Sequence, residues 1–374
     1  MVPAKEDPME RLDARLKEIP PPGFHDLVVR VSGIDECKGW WEGRSAAFPS
    51  ELRRLKGRTI PVSADASARM SARNVLPPSG KPPWGARRSA QGDGADALRT
   101  GYAELLRSVF EGHRDMEFGK ELILRFHAQL LKDSPADRAH RGRYRSMMDR
   151  PGPYRREGME SLALRPTEPH LVHGEMQSLT DWTAARLGSG EYHPLLVIAS
   201  FLLEFLAIRP FADGNGRMSR ILAHFLLLKR GYEHVPYVSL DRIIADRMAE
   251  VQIALRRAQA RRNFPRPDIL PWLRAFLDVL QAQAAELQRL LEGRPREDLL
   301  SENQRAVLSL FDRHREVSIR LVHSELGISR DTAKQVLGRL HKLNLVRRAG
   351  AGRASRYQRP PSYPDRRPSP GPAR

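Results

Sequence analysis

From Leu195 to Ile208 the chain is apolar at every position except Ser200 and Glu204. Leu195, Ile198 and Leu202 fall at i, i+3 and i+7, and the apolar residues continue almost all the way round the helix that this spacing draws. A helix without a polar face has to be enclosed by others, and a run this short reads as a core helix, not a membrane span. Ile123, Phe126 and Leu130 repeat the same period and supply part of the shell. Strand signals are weak throughout the body. The exception is the Pro- and Gly-rich stretch from Tyr144 to Thr167, which accommodates a short β-hairpin. The expected fold class is therefore mainly α.

Punctuation divides the 374 residues into parts. Pro77 to Gly94 is dense in Pro, Gly, Ser and charge, and Gly293 to Asp298 interrupts a helical pattern ending in Leu287, Leu290 and Leu291. From Pro360 onward six residues are proline and only Tyr363 is aromatic, so that tail is expected to be disordered. The resulting scheme is a helical arm (1–95), a helical body (96–292), a small C-terminal domain (299–359) and a Pro/Arg tail (360–374). Cys37 is the only cysteine, so no intramolecular disulfide can form and nothing calls for an oxidising compartment. Glu6, Asp7, Glu10 and Asp13 near the start do not resemble a secretion signal, and a cytoplasmic location without membrane contact is expected. The formal net charge of +18 favours polyanionic partners, although an Arg-rich composition also occurs without one.

Between the buried helix and a second apolar helix, Ile221 to Lys229, lies Arg209-Pro-Phe-Ala-Asp-Gly-Asn-Gly-Arg-Met-Ser-Arg220. Gly214, Asn215 and Gly216 leave the backbone free to turn and to aim successive N–H groups at one place, just before a helix N-terminus that favours anions. Asp213 offers a hard oxygen ligand for Mg²⁺, and Arg217 and Arg220, on one helix face, can grip phosphate oxygens. The bare Asp-Gly-Asn-Gly string also serves as an ordinary tight turn between helices.

The whole dodecapeptide resembles the active-site motif of the Fic (fido) family, His-Pro-Phe-x-Asp/Glu-Gly-Asn-Gly-Arg-x-x-Arg, at every position but the first. His193-Pro194 upstream and Arg230 to Leu240 downstream extend the resemblance over a body from roughly Tyr102 to Leu280. It implies a fido-fold helical body with a hairpin flap, and a protein adenylyltransferase-type site for ATP and Mg²⁺. On that reading Gly214, Asn215, Gly216, Arg217 and Arg220 bind the nucleotide, Asp213 holds the metal, and a target hydroxyl attacks the α-phosphate. The family's first motif residue is the histidine that removes the hydroxyl proton, and here Arg209 takes its place. A guanidinium has five donors, no acceptor and a pKa above about 12, so it cannot act as a base. His193 and His224, which flank the loop, read as packing or surface residues and not as substitutes.

Two further segments resemble family elements. Ala66 to Ala72 is similar to the inhibitory helix Ser/Thr-x-x-x-Glu-Gly, with Ser71 where glutamate is expected and Ala72 in place of glycine, so Arg220 is expected to lack the glutamate that blocks it elsewhere in the family. Arg143 to Thr167 corresponds to the flap that pairs with a target protein, and its arginines and prolines make a regular strand doubtful.

Ser301 to Gln358 reads as a winged helix-turn-helix. Helices pass through Val307 and Leu310 and through Leu321 to Leu326, and Gly327-Ile328 makes the turn. A third helix is N-capped by Ser329 and turns Ala333, Val336, Leu337, Leu340 and Leu343 inward. Arg330, Lys334, Gln335, Arg339 and Lys342 face outward as a recognition helix would present them, and Arg353 lies in the wing with Gly350 and Gly352 at its turn. From Ser301 to Arg359 there are 13 basic and 5 acidic residues. This suits DNA phosphates, and equally a solvated face on a dimerisation or docking module. Three readings follow: a nucleotide-binding pseudoenzyme with impaired AMPylation, a transferase using another base, and a DNA-binding regulator whose body is a scaffold for a homodimer.

Overall fold

The structure, a computed structural model, describes residues 8–73, 93–146, 166–260, 268–292, 300–343, 345–350 and 355–359. Most of the flap stretch, Pro78 to Gln91, Arg353 and the tail from Pro360 lie outside them. Contacts group the chain into two compact units, Met1–Gly43 with Leu55–Arg289 and Arg44–Arg54 with Leu290–Arg374.

The first unit is helical. It holds α1 (Pro8–Lys17), α2 (Pro21–Arg44) as far as Gly43, α3 (Pro49–Arg73) from Leu55 on, α4 (Asp93–Gly112), α5 (Lys120–Leu130), α6 (Pro169–Ser189), α7 (Pro194–Ile208), α8 (Asn215–Lys229), α9 (Leu240–Asp246), α10 (Met248–Ala260) and α11 (Leu270–Glu292) as far as Arg289. The apolar run is α7. Every residue from Leu195 to Ile208 except Leu206 is buried, and α7 packs on both α6 and α8, with α4 and α5 against α8. Pro194 at the first helical position and the His193 side chain, which accepts from the Leu195 N–H at 3.3 Å, start the helix. No helix among the described residues is long and apolar enough to cross a membrane.

The polar interruptions in α7 have different fates. Glu204 is buried against the guanidinium of Arg15 on α1, itself buried, with Arg11 at 3.9 Å. Beside this pair, Asp13 of α1 accepts hydrogen bonds from Trp182 Nε1 and Arg186 Nε of α6, both at 2.9 Å. From α11, Trp272 Nε1 donates to the Ala199 carbonyl at 2.7 Å. The Ser200 hydroxyl has no hydrogen-bond partner among the described residues. α7 is thus held on several sides by polar contacts as well as by packing.

The second unit contains α12 (Glu302–Leu310), α13 (Ile319–Leu326), α14 (Arg330–Lys342) and an antiparallel pair, β1 (Arg347–Ala349) with β2 (Arg356–Gln358). Val317 bridges Tyr357 and adds an edge to that pair. Ser301 closes a capping box with Gln304, and Gly327 ends α13 at φ 65°. Ser329 caps α14 through the Thr332 N–H at 3.1 Å. Val307, Leu310, Val322, Ala333, Leu337, Leu340, Val346 and Tyr357 form the core of this unit.

Removing Glu204 strips a buried guanidinium of its carboxylate, which typically costs about 3–5 kcal/mol. Glu204→Ala is therefore expected to lower the urea midpoint of the helical unit sharply, while Ser200→Ala at the neighbouring interruption leaves it unchanged or raised.

Candidate functional site

The loop between α7 and α8 begins with a backbone strain. Arg209 sits at φ 49°, ψ 65°, the only non-glycine residue with positive φ among those described. L-residues pay roughly 1–2 kcal/mol there, so something has to hold the turn. Arg145 does so. Its backbone N–H donates to Pro210 O at 2.9 Å, its Nε to Arg209 O at 2.7 Å, and its Nη2 to Ile208 O at 3.3 Å and to Thr167 O. A buried cation thereby satisfies the last carbonyls of α7, where the helix dipole favours positive charge.

The next turn is clasped by Asn215. Its Oδ1 accepts from the Phe211 N–H at 3.0 Å and its Nδ2 donates to Phe211 O at 2.7 Å, so one side-chain amide closes the loop. Gly214 follows at φ 81°, a conformation open to glycine, and no side chain caps the N-terminus of α8. Beneath the loop, on α5, lies His127. Gly142 N–H donates to its Nδ1 at 2.9 Å, which puts the ring hydrogen on Nε2, and that Nε2–H donates to Asp213 O at 3.1 Å. The ring stacks on Phe211 at 3.7 Å between centroids. Burial holds the imidazole neutral, with its pKa lowered to about 4, and nearby His140 and Arg217 push the same way.

Arg217 and Arg220 each already have an acidic partner. Asp213, 59% exposed, accepts from Gly214 N–H at 2.6 Å through Oδ1 and from Arg217 Nη2 at 2.8 Å through Oδ2. Arg220, 12% exposed, donates from Nε to Asp241 Oδ1 at 3.0 Å and from Nη2 to Ser67 Oγ at 2.6 Å, and lies 5.9 Å over the Tyr102 ring. Its Nη1 lies 3.6 Å from where a Cβ on Gly216 would stand. Asp241 is wholly buried and also takes the Tyr102 hydroxyl and, at 3.0 Å, His224 Nε2. Burial raises the Asp241 carboxyl, and the donors from His224, Arg220 and Tyr102 outweigh it to leave the carboxyl below its ordinary value.

The segment Ala66 to Ala72 brings no glutamate to Arg220, yet Arg220 does not lack a carboxylate. The segment Ala66 to Ala72 lies in α3 and reaches Arg220 through the Ser67 hydroxyl, while Ser71 Oγ turns back to Ser67 O at 3.0 Å. The carboxylate on Arg220 comes instead from Asp241, the residue immediately after the stretch that carries the resemblance. His127, Arg145, Tyr102 and Asp241 all escaped the sequence reading. None falls in a dense motif, and their roles depend on contacts between residues far apart in the chain.

None of His193, His224 and His127 is placed as a base. His193 is at the opposite end of the 15-residue α7, about 22 Å from Arg209 along the axis, and donates to Asp35 Oδ2 at 2.9 Å. His224 is fully buried on Asp241, and both nitrogens of His127 are engaged. Arg209 itself is exposed at the head of the loop. Among the described residues no cluster of three His, Cys, Asp or Glu could cage a metal. A Mg²⁺ ion here would rest on the half-exposed Asp213 carboxylate, with the rest of its shell from phosphate and water, which is the usual manner of Mg²⁺. Of the C-terminal candidates, Arg330, Lys334, Gln335 and Lys342 are exposed on α14 and Arg339 is partly so.

Residues 117–227 match the sequence profile of the Fic/DOC family. The chain is 36% identical over 73 residues to a fido domain-containing protein of Dictyostelium discoideum, covering 20% of this chain and 51% of that protein. It is 40% identical over 60 residues to the protein adenylyltransferase Fic of Drosophila willistoni, covering 16% of this chain and 12% of that one. The matches thus span about half of the first relative and a small part of the second. Among solved structures, a Fic family protein from Desulfovibrio desulfuricans is similar with a TM-score of 0.51 and 22% identity over 90% of this chain and 97% of the other. A Fic domain-containing signaling protein from Bacteroides thetaiotaomicron reaches 0.54 and 18% over 70% and 99%. At these identities the likeness shows the mainly helical Fic fold.

Burial also sets a pH dependence. His127 and His234 are both held near 4, His234 by burial and then by Lys38, while unfolded imidazoles titrate near 6.5. The unfolded chain therefore binds more protons in that interval, and stability falls as pH drops from 6.5 to 4, by up to roughly 3 kcal/mol per histidine. His127→Gln is expected to flatten the fall by about one proton's slope in melts taken across this range. Parallel curves for the two proteins would exclude the assignment.

Proposed function

Because residues 117–227 carry a Fic/DOC-family domain, we propose that this chain binds ATP with Mg²⁺ on the loop after α7 and transfers AMP very slowly or not at all. The observation that carries the reading is the combination of a fully assembled loop with Arg209 where the family has its histidine. The Asn215, Gly216 and Arg217 amides stand at the start of α8, which no side chain caps, where an anion is favoured, and Arg217 and Arg220 would complete the phosphate contacts. The Asp213 carboxylate suits the metal, which when bound would neutralise phosphate charge. AMP transfer requires a hydroxyl oxygen to attack the α-phosphate, pyrophosphate to leave, and the hydroxyl proton to be taken up. Arg209 cannot take it, and loss of general base catalysis costs about a hundred- to ten-thousandfold in rate.

A second reading concerns the C-terminal unit, and the pattern of ion pairing favours it. Three of its carboxylates are spent on other cations: Glu325 on His314 at 2.7 Å and Arg313 at 3.5 Å, Glu316 on Arg356 at 3.3 Å, Asp312 on Arg359 at 2.7 Å. Among the described residues no carboxylate pairs with Arg330, Lys334, Arg339 or Lys342, and Asp331 is the one acid on α14. A helix that keeps its cations unneutralised suits a duplex phosphate backbone, with Gln335 available for a base edge. We propose that this unit, a winged helix in form, binds DNA.

With α-labelled ATP and Mg²⁺, in self-labelling and in lysate, we expect label only with Arg209→His; label on the unaltered chain would overturn the loss of the base. For the second reading, duplex binding by fluorescence anisotropy at two salt concentrations should show a log–log slope that shrinks by about 3 in Arg330→Ala/Lys334→Ala/Lys342→Ala. An unchanged slope would leave α14 outside the interface.

A further inference from the structure

We propose that His127 is a positioning residue for the phosphate loop: through the Asp213 carbonyl it fixes the direction of the amides that face the ligand, and through Gly142 it ties that direction to the segment ending at Arg145. This rests on reading the start of α8 as the phosphate site.

The geometry assigns each ring atom a task. Gly142 donates to Nδ1 at 2.9 Å, so the tautomer is the one with hydrogen on Nε2, and this hydrogen is given to Asp213 O at 3.1 Å. The peptide joining Asp213 to Gly214 is planar, so pinning its oxygen also pins its N–H, which bonds Asp213 Oδ1 at 2.6 Å. The next residues, Gly214 at φ 81° and then Asn215 and Gly216, take their direction from that plane. The ring face is clamped on Phe211, whose own backbone N–H and carbonyl are both held by Asn215. His127 therefore bears on the loop at Phe211 and at Asp213.

The other side of the ring leads away from the loop and back to it. Gly142 has φ 70°, and a Cβ there would stand 3.0 Å from the Ala128 side chain, so the backbone comes close to α5 and brings its N–H to His127. Three residues later Arg145 holds the carbonyls of Ile208 and Arg209 and the strained turn between them. One short segment thus holds the start of the loop through Arg145 and its far side through His127. An apolar ring of the same size would fill the space under Phe211 and make neither hydrogen bond. A displacement of Gly142–Arg145 consequently reaches the ligand amides without any contact between that segment and the ligand.

Two amide side chains separate the two bonds. The glutamine Nε2 reaches the place of the imidazole Nε2 and keeps the donor to Asp213, whereas the asparagine Oδ1 takes the place of Nδ1 and keeps only the acceptor for Gly142. By calorimetry with ATP and Mg²⁺, His127→Asn should bind about tenfold more weakly than the parent, the value of one such hydrogen bond, and His127→Gln within about twofold. In the parent, nitrogen NMR of the ring should show the hydrogen on Nε2 and a shift of that signal on adding ATP. Equal weakening in both variants, unaltered binding in both, or a ring signal indifferent to ATP overturns the positioning role. If the parent binds no ATP, the nucleotide reading itself falls, and this inference with it.

Discussion

The guanidinium of Arg145, laid across the last carbonyls of α7, is the contact on which the loop's shape depends. A helix buried on all sides ends in carbonyls with no access to water, and unsatisfied buried acceptors are costly. Arg145 meets that demand and in doing so allows the chain to leave α7 through a left-handed residue. The sharp exit turns the loop back, where Asn215 clasps Phe211 and His127 takes the Asp213 carbonyl. The start of α8 is thus the last of a chain of satisfied backbone groups that begins at the end of α7.

The charges follow the same economy. Three arginines and one exposed acid crowd a loop of twelve residues, and two of the arginines are balanced by aspartates, one of them wholly buried. Asp241 orders Arg220 more firmly than a surface pair would, because Tyr102, His224 and Ser67 fix the surrounding donors and acceptors. An arginine held in this way meets a phosphate with little further loss of side-chain entropy, and with part of its charge already compensated.

How much of this could be read from the chain depends on the range of the interaction. The buried helix, the caps at Ser301 and Ser329 and the turn at Gly327 are written in short spacings, because each is decided within a few residues. The loop's glycines and arginines were legible for the same reason. Asp241 was not: a single acid after Ser239 looks like an ordinary first-turn residue, and only the fold brings Arg220 and Tyr102 to it. His127 sits in an amphipathic stripe beside Phe126 and Leu130, where the period marks an inward position and says nothing of the backbone groups it will meet. The segment Ala66 to Ala72 showed the converse. It was recognised as a helix that approaches Arg220, but the partner it offers is Ser67.

The exposure of Arg209 has an evolutionary consequence. Its backbone is held by Arg145, and its side chain lies outside the core. Selection for folding therefore bears most directly on the residues beneath the loop. A change of chemistry at this one exposed position leaves the hydrogen bonds beneath the loop in place. On the proposed reading, a loss of turnover would leave behind a competitor for the same ligand and not a gap.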